Sequence, residues 1–174
     1  MQPISILIRS LGPADAASYR ACRLEALQDR PTAFGSSYEE ESSQTVDDVR
    51  RRFETEWNRD DNILFGGFAG EALVGTTGLS RAGPMKRRHK MIVWGVYVAP
   101  PARGQGVARR LLEAAIAQAG SVPGIARLEL TMEHGNLAAQ TLYEGCGFHR
   151  WGTEPDGIQI GSDCYAEDRM SLKL

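Results

Sequence analysis

One segment near the middle of the chain has the residue types of an anion-binding turn. An apolar run ends at Val98, two prolines and the pair Gly104 and Gly106 follow, and a stretch rich in alanine and leucine comes next. The first N–H groups of a helix have no partner inside the helix, and the helix dipole adds positive potential at that end. Glycines leave the backbone open to a phosphate, and Arg103 adds a positive charge. The pattern predicts a pyrophosphate site.

Two other phosphate-binding motifs do not match this turn. The sequence has no G-x-x-x-x-G-K-[ST] loop, and Arg109 stands where a G-x-G-x-x-G fingerprint starting at Gly104 needs its third glycine. The fingerprint also opens an early βαβ unit, whereas this turn lies past the middle of the chain. Binding of a nucleotide such as ATP or NAD is therefore a weaker hypothesis. The alternative to any phosphate site is that the glycines only form a tight turn between a strand and a helix.

A second motif follows the turn. Residues 136–148 have the pattern N-x-x-A-x-x-x-Y-E-x-x-G-F, and residues 103–108 have the pattern R-x-x-G-x-A. In this order and spacing the two motifs resemble the GNAT acetyltransferase superfamily, whose signature is [R/Q]-x-x-G-x-[G/A]. The runs at 96–100 and 130–132 resemble the fourth and fifth strands of that family, and the order of elements agrees along the whole chain.

The resemblance implies that acetyl-CoA binds in a cleft where strands four and five splay apart. The freed backbone of Val96 and Val98 is expected to pair with the pantetheine arm like an added strand. One of their N–H groups would polarise the acetyl carbonyl and stabilise the oxyanion of the tetrahedral intermediate. No metal takes part. The residues expected to bind the cofactor are Val96, Val98, Arg103, Gly104, Gln105, Gly106, Val107, Ala108, Arg109, Asn136, Ala139 and Tyr143.

Two side chains are expected to move protons. Tyr143 matches the general acid of the family and would protonate the CoA thiolate or donate a hydrogen bond to its sulfur. The resemblance fixes no position for the base that deprotonates the amine. If Leu130 and Met132 share the buried face of their strand, Glu133 lies on the other face near the strand end and is the first candidate base. His134 is the second candidate base. The structural alternatives are that the ring of Tyr143 only packs in the core and that Glu133 is a solvated carboxylate.

The acceptor wall is expected to come from the segment between the first two helices. Phe34 and Tyr38 would line an apolar slot, and Trp94 and Tyr97 on the fourth strand are further wall residues. The glutamates at 39–41 would attract a cationic amine, or else form an exposed loop or helix start. Direct attack by the bound amine needs no acyl-enzyme.

These residues must be positioned by a mixed α/β domain. Alternating apolar residues Ile4, Ile6 and Ile8 predict the first strand, and Gly70 marks a hairpin turn. The predicted strands are 4–8, 63–69, 73–79, 91–98, 128–132, 148–153 and 165–174; the predicted helices are 14–29, 46–57, 107–119 and 136–144, with loops at 30–44 and 80–90. Together with the resemblance, this order implies a single N-acetyltransferase domain over 1–174, with a central, mostly antiparallel sheet flanked by helices.

Composition narrows the classes of partner. The 174 residues contain 20 Lys+Arg and 22 Asp+Glu, so the chain lacks the excess of positive charge that is typical of a nucleic-acid binder. The basic run at 86–90 is interpreted as a solvated loop. No apolar run approaches the length of a membrane span, and no basic segment precedes the first apolar stretch, so a signal peptide is not expected. Three dispersed cysteines argue against a disulfide framework or zinc site. These features predict a cytoplasmic protein.

The predicted function is transfer of acetyl from acetyl-CoA directly to a primary amine of a small molecule. A peptide N-terminus and a protein lysine are alternative acceptors. A non-catalytic acyl-CoA sensor is the alternative from a different functional class, and Tyr143 disfavours it because a pure binder needs no proton donor. A homodimer is common in families that resemble this chain, but no residue of the sequence indicates an interface. The acceptor and the acyl chain length are left open.

Overall fold

The computed structural model describes residues 5–174, so the predicted place of Ile4 in the first strand lies outside the described residues. The strands are β1 (Ile6–Ser10), β2 (Asn62–Ala69), β3 (Ala72–Arg81), β4 (Lys90–Val98), β5 (Arg127–Glu133), β6 (His149–Ile160) and β7 (Asp163–Lys173). The helices are α1 (Ala16–Asp29), α2 (Tyr38–Ser42), α3 (Val46–Thr55), α4 (Val107–Ser121) and α5 (Leu137–Gly145).

Side-chain caps fix the start of two helices. The Thr45 hydroxyl accepts a hydrogen bond from the Asp48 N–H at 3.2 Å, and the Asp48 carboxylate accepts one from the Thr45 N–H at 2.9 Å. At the start of α5, the Asn136 side chain accepts from the Ala139 N–H at 3.1 Å. Each cap satisfies an N–H that has no partner inside the helix, so both helices begin where the sequence places a capping residue.

The sheet is mixed, with the order β1-β2-β3-β4-β5-β7-β6, and β4–β5 is its parallel pair. The mostly antiparallel sheet predicted from the sequence is confirmed. The β4–β5 ladder joins residues 90–92 to residues 127–129, although both strands continue further. Splaying of the two strands beyond this ladder stays a prediction.

Helices cover both faces of the sheet. On one face, α1 and α3 pack through Tyr19 and Phe53 against Leu64 of β2. On the other, α4 and α5 pack through side chains such as Leu112 and Tyr143 against the central strands. The junction of β4 and β5 therefore lies between two helical layers. Among residues 5–174, no helix is both long and apolar enough to cross a membrane.

Two regions differ from the sequence prediction. The predicted loop at 30–44 contains a 3₁₀ turn at Pro31–Ala33 and the five-residue helix α2, which begins with a capping box between Ser37 and Glu40. A helix this short carries no apolar periodicity, so its pattern is indistinguishable from that of a loop. The strand predicted at 148–153 continues to Ile160. The sequence does not show this extension, because two irregularities in the pairing of the strand with β7 interrupt the alternation of apolar residues.

Candidate functional site

A cavity of about 280 Å³ lies where the second half of β4 faces the end of β5 and the start of α5. The segment between α1 and α2 contributes a further wall. Eleven of the residues predicted for the site line this cavity: Phe34, Trp94, Val96, Tyr97, Val98, Arg103, Ala108, Glu133, Asn136, Ala139 and Tyr143. The structure thus brings together side chains that lie up to about a hundred residues apart in the sequence.

The β4 wall contains a bulge. Thr76 of β3 is opposite Tyr97, but Gly78 is opposite Trp94, so two β4 residues, Gly95 and Val96, face one residue of β3. Gly95 has φ +62°, and its carbonyl accepts a hydrogen bond from the Thr76 hydroxyl at 3.1 Å. A bulge bends a strand and leaves a residue outside the regular ladder. Backbone groups of β4 therefore become available beside the cavity.

The glycine-rich turn has a backbone that requires glycine. Gly104 and Gly106 both have φ +75°, and Gly106 is the N-cap of α4. A Cβ at either position would meet no atom within 4 Å, so the space above the turn is open. No side chain of the described residues caps this helix. The first N–H groups of α4 are consequently free for an anion, as the sequence predicts for this kind of turn.

The charge of Arg103 is used differently from the sequence-based expectation. Its Nε donates to the Val98 carbonyl at 2.9 Å, and its guanidinium forms an ion pair with Asp29 at the end of α1. This pairing compensates the positive charge that the sequence assigned to the turn. The arginine instead fastens the turn to the end of β4 and to α1. Arg109 likewise donates to the Gly145 carbonyl at 2.8 Å.

Tyr143 lies at the base of the cavity. Its side chain is 7% exposed, its ring packs edge-on against Phe148 with centroids 6.1 Å apart, and no described residue forms a hydrogen bond with its hydroxyl. Burial raises the pKa of Tyr143 because a phenolate here would lose its hydration. The group is therefore a neutral phenol at physiological pH and has a proton to donate.

Glu133 lines the cavity at the end of β5. It is the last residue of β5, half-buried, and its Oε1 accepts a hydrogen bond from the Thr32 hydroxyl at 2.8 Å. Its partner in the β5–β7 ladder is Glu167, so two acidic residues are in register. Burial raises the pKa of Glu167, and the charge of Glu154 adds to this effect although Arg169 opposes it.

Some predicted residues lie outside the cavity. Tyr38 lines a neighbouring groove of about 420 Å³ between the α1–α2 segment and the far half of β6, and Phe34 is shared by the groove and the cavity. Gly104, Gln105, Gly106, Val107 and Arg109 form the turn and the first residues of α4 next to the cavity, without lining it.

The acidic run between α1 and α3 has its own partners. Glu41 forms an ion pair with the buried Arg23 at 2.8 Å, and Glu40 caps α2. His134, the second candidate base, points its Nδ1 at the buried Asp168 at 3.1 Å and does not line the cavity. Within residues 5–174, no cluster of three or more His, Cys, Asp or Glu side chains is arranged to hold a metal ion.

Sequence analysis missed eight residues that line the cavity: Arg30, Ala33, Val93, Gly95, Thr131, Met132, Ala138 and Leu142. It also missed Thr32, which contacts a lining residue. Gly95 supplies the bulge, and a glycine inside an otherwise apolar strand was the available signal. Thr131 lines the cavity two residues before Glu133, on the same face of β5. Thr32 forms a hydrogen bond with Glu133, which lies 101 positions later in the sequence, and no local sequence pattern predicts such a contact.

Comparison with known proteins indicates the family of this chain. The family model of the acetyltransferase (GNAT) family matches residues 24–148. A mycothiol acetyltransferase of Thermobispora bispora is 31% identical over 157 residues, which cover 86% of this chain and 48% of that protein. The chain thus spans about half the length of this relative.

Solved structures share the whole fold. A GNAT-family acetyltransferase of Streptococcus pneumoniae superposes with a TM-score of 0.85 at 23% identity, covering 98% of this chain and 100% of the other. A ribosomal-protein-alanine N-acetyltransferase of Brucella melitensis gives a TM-score of 0.83 at 26% identity, covering 97% and 99%. With a family match over most of its length, the chain belongs to the GNAT acetyltransferase family.

Proposed function

We propose that this protein transfers an acetyl group from acetyl-CoA directly to the primary amine of a small molecule. The observation that carries the proposal is the convergence of three groups on one cavity. An open helix N-terminus lies beside it, a neutral phenol lies at its base, and a carboxylate lies on its opposite wall. These are an anion site, a proton donor and a proton acceptor.

The residues present fit acetyl-CoA. The open turn at Gly104 and Gly106, with the free N–H groups of α4, suits a pyrophosphate. The backbone of β4 next to the bulge would accept an extended arm as an added strand. When bound, acetyl-CoA supplies an activated thioester carbonyl. An N–H of Val96 or Val98 would donate a hydrogen bond to its oxygen as negative charge develops there.

Two proton transfers are assigned to side chains. A primary amine with a pKa near 10.4 is mostly protonated at neutral pH, so Glu133 accepts a proton from it before it attacks. Tyr143 donates its proton to the sulfur as the thiol departs. Direct attack needs only that both substrates are held together, which is what a shared cavity provides.

The names of two relatives indicate the candidate acceptors. The mycothiol acetyltransferase relative is named for a small-molecule acceptor, whereas the Brucella relative is named for a protein N-terminal alanine. A peptide N-terminus is therefore the second candidate. The single-domain span 1–174, the cytoplasmic location and the homodimer stay predictions.

The test is an assay of product formation. The purified protein is incubated with acetyl-CoA and a panel of polyamines, aminoglycosides, amino acids and short peptides, and products are identified by mass spectrometry. The proposal predicts a mono-acetylated amine from the small-molecule part of the panel. Acetylation confined to peptides would favour the second candidate. Tight acetyl-CoA binding with no acetylated amine would contradict transfer and favour an acyl-CoA sensor.

A further inference from the structure

We propose that Thr32 is a positioning residue for the acceptor half of the reaction. Its hydroxyl holds one carboxylate oxygen of Glu133 and leaves the other for the incoming amine. This inference rests on the proposed function and adds a residue that no sequence motif indicates.

The geometry of the contact supports this role. The Thr32 hydroxyl donates to Glu133 Oε1 at 2.8 Å, and Glu133 Oε2 has no hydrogen-bond partner among residues 5–174. Thr32 sits in the 3₁₀ turn at Pro31–Ala33, whose proline fixes one backbone torsion. Ala33 and Phe34, which follow Thr32 directly, line the same cavity as Glu133. The turn thus brings both an apolar wall and a hydroxyl to the carboxylate.

The charged groups around Glu133 do not hold its carboxylate in place. Its partner in the β5–β7 ladder, Glu167, is also acidic and offers no opposite charge. The nearest cation along that strand, Arg169, donates to the Thr131 hydroxyl at 3.1 Å and forms an ion pair with Glu154. No described cation forms a salt bridge with Glu133. The Thr32 hydroxyl is its hydrogen-bond donor.

The proton transfer is complete with the groups described. An N–H bond of the ammonium breaks and its proton moves to Glu133 Oε2. The freed nitrogen lone pair attacks the thioester carbon, so a C–N bond forms. The C–S bond then breaks, and the sulfur takes the proton of Tyr143. The nitrogen loses its second proton, which restores the Tyr143 phenol, and Glu133 releases the first proton to solvent. Thr32 keeps its own proton throughout. Its donation to Oε1 fixes the orientation of the carboxylate, so that Oε2 faces the incoming amine.

The experiment compares Thr32→Val with Thr32→Ser, using acetyl-CoA and the amine of the panel that the wild-type protein acetylates fastest. Valine keeps the shape and removes the donor, so we expect kcat to fall by at least about tenfold. Thr32→Ser should restore most of the rate. The affinity for acetyl-CoA should stay within about twofold in both variants, because Thr32 lies outside the turn.

A double variant separates positioning from folding. If Thr32 acts through Glu133, Thr32→Val should add no further loss of kcat to a Glu133→Gln protein, whereas a general structural defect would add its own loss. Additive losses, or a Thr32→Val protein with an unchanged kcat, would overturn the inference while leaving the proposed function standing. A wild-type protein that acetylates no amine would overturn the proposed function, and the inference with it.

Discussion

The two walls of the cavity are made of different parts of the chain. The β4 wall, with the glycine-rich turn, presents backbone: a bulge at Gly95 and the free N–H groups of α4. The β5 wall presents side chains, with Glu133 at the strand end held by Thr32 from the segment that follows α1. Backbone N–H groups are present whatever the side chains are, so they suit a cofactor that is the same in every reaction. Side chains vary with the sequence, so they suit an acceptor that can differ among proteins of one fold.

The walls also differ in how they are held together. The turn is fastened by contacts near in sequence, such as the Arg103–Val98 hydrogen bond, and by one ion pair to Asp29. The β5 wall depends on contacts between residues far apart in the sequence. Behind it lies the buried carboxylate of Asp168, on the opposite face of β7 from Glu167. We therefore expect substitutions in the first wall to affect acetyl-CoA binding, and those in the second to affect turnover and stability.

The largest effect is expected at Tyr143, where the walls meet. Tyr143→Phe keeps the ring that packs on Phe148 but removes the proton donor, and general acid catalysis contributes about 10²–10⁴-fold. We expect kcat to fall by about 100-fold or more with little change in acetyl-CoA affinity, measured by steady-state kinetics and calorimetry. The matched control is Tyr19→Phe, a second buried tyrosine that does not line the cavity. Wild-type turnover by Tyr143→Phe would refute its role as the acid.

The next effect concerns the support of the β5 wall. The Asp168 carboxylate is 1% exposed and accepts a hydrogen bond from the Thr153 hydroxyl at 2.6 Å, with His134 and Arg150 as further partners. Burial acts to raise the pKa of Asp168, but these donors and charges outweigh it and hold the pKa below its ordinary value. Asp168→Asn should therefore lower the free energy of unfolding by about 2–3 kcal/mol at neutral pH.

This cost should depend on pH with a fixed sign. A carboxyl whose pKa is lowered on folding stabilises the protein above its unfolded pKa, about 3.9, and loses that contribution as the pH falls through its folded pKa. Urea unfolding at several pH values should show the wild type and Asp168→Asn converging in acid. A difference that stays constant from neutral pH to acid would mean that the charge of Asp168 does not contribute.

A smaller effect is expected in the glycine-rich turn. Gly106→Ala places a Cβ at φ +75° and into the open space above α4, so we expect the Kd for acetyl-CoA to rise about tenfold. The control is Gly120→Ala near the end of the same helix, where the new methyl group also meets no atom within 4 Å and should leave the Kd unchanged. Equal affinities for both variants would argue against an anion site at the turn.

The smallest effect is expected at Glu167. Because burial raises its pKa, the native state binds more protons than the unfolded state, and the stability of the protein falls as the pH rises through that range. Glu167→Gln removes this penalty and the repulsion with Glu154. We expect a gain of about 1–2 °C in Tm near pH 7.5 that disappears near pH 4. A loss of stability at pH 7.5 would show that Glu167 has a stabilising role instead.

The contrast between the walls also explains what the sequence could predict. The turn and the caps at Thr45 and Asn136 depend on neighbouring residues, so spacing alone indicates them. The role expected of Tyr143 came from the resemblance to a family motif. The Thr32–Glu133 contact and the Arg103–Asp29 ion pair join distant segments, and they exist only after the sheet and α1 have packed. The bulge at Gly95 depends on the register of β3 against β4, which no single strand encodes.

The most direct test of the central claim is a crystal structure of the protein with bound CoA. The account predicts that the pyrophosphate accepts hydrogen bonds from the N–H groups of residues 104–108. It also predicts that the pantetheine arm pairs with β4 and that the sulfur lies within hydrogen-bond distance of the Tyr143 hydroxyl. A pyrophosphate bound away from the turn, or a sulfur outside the cavity between β4 and β5, would contradict it.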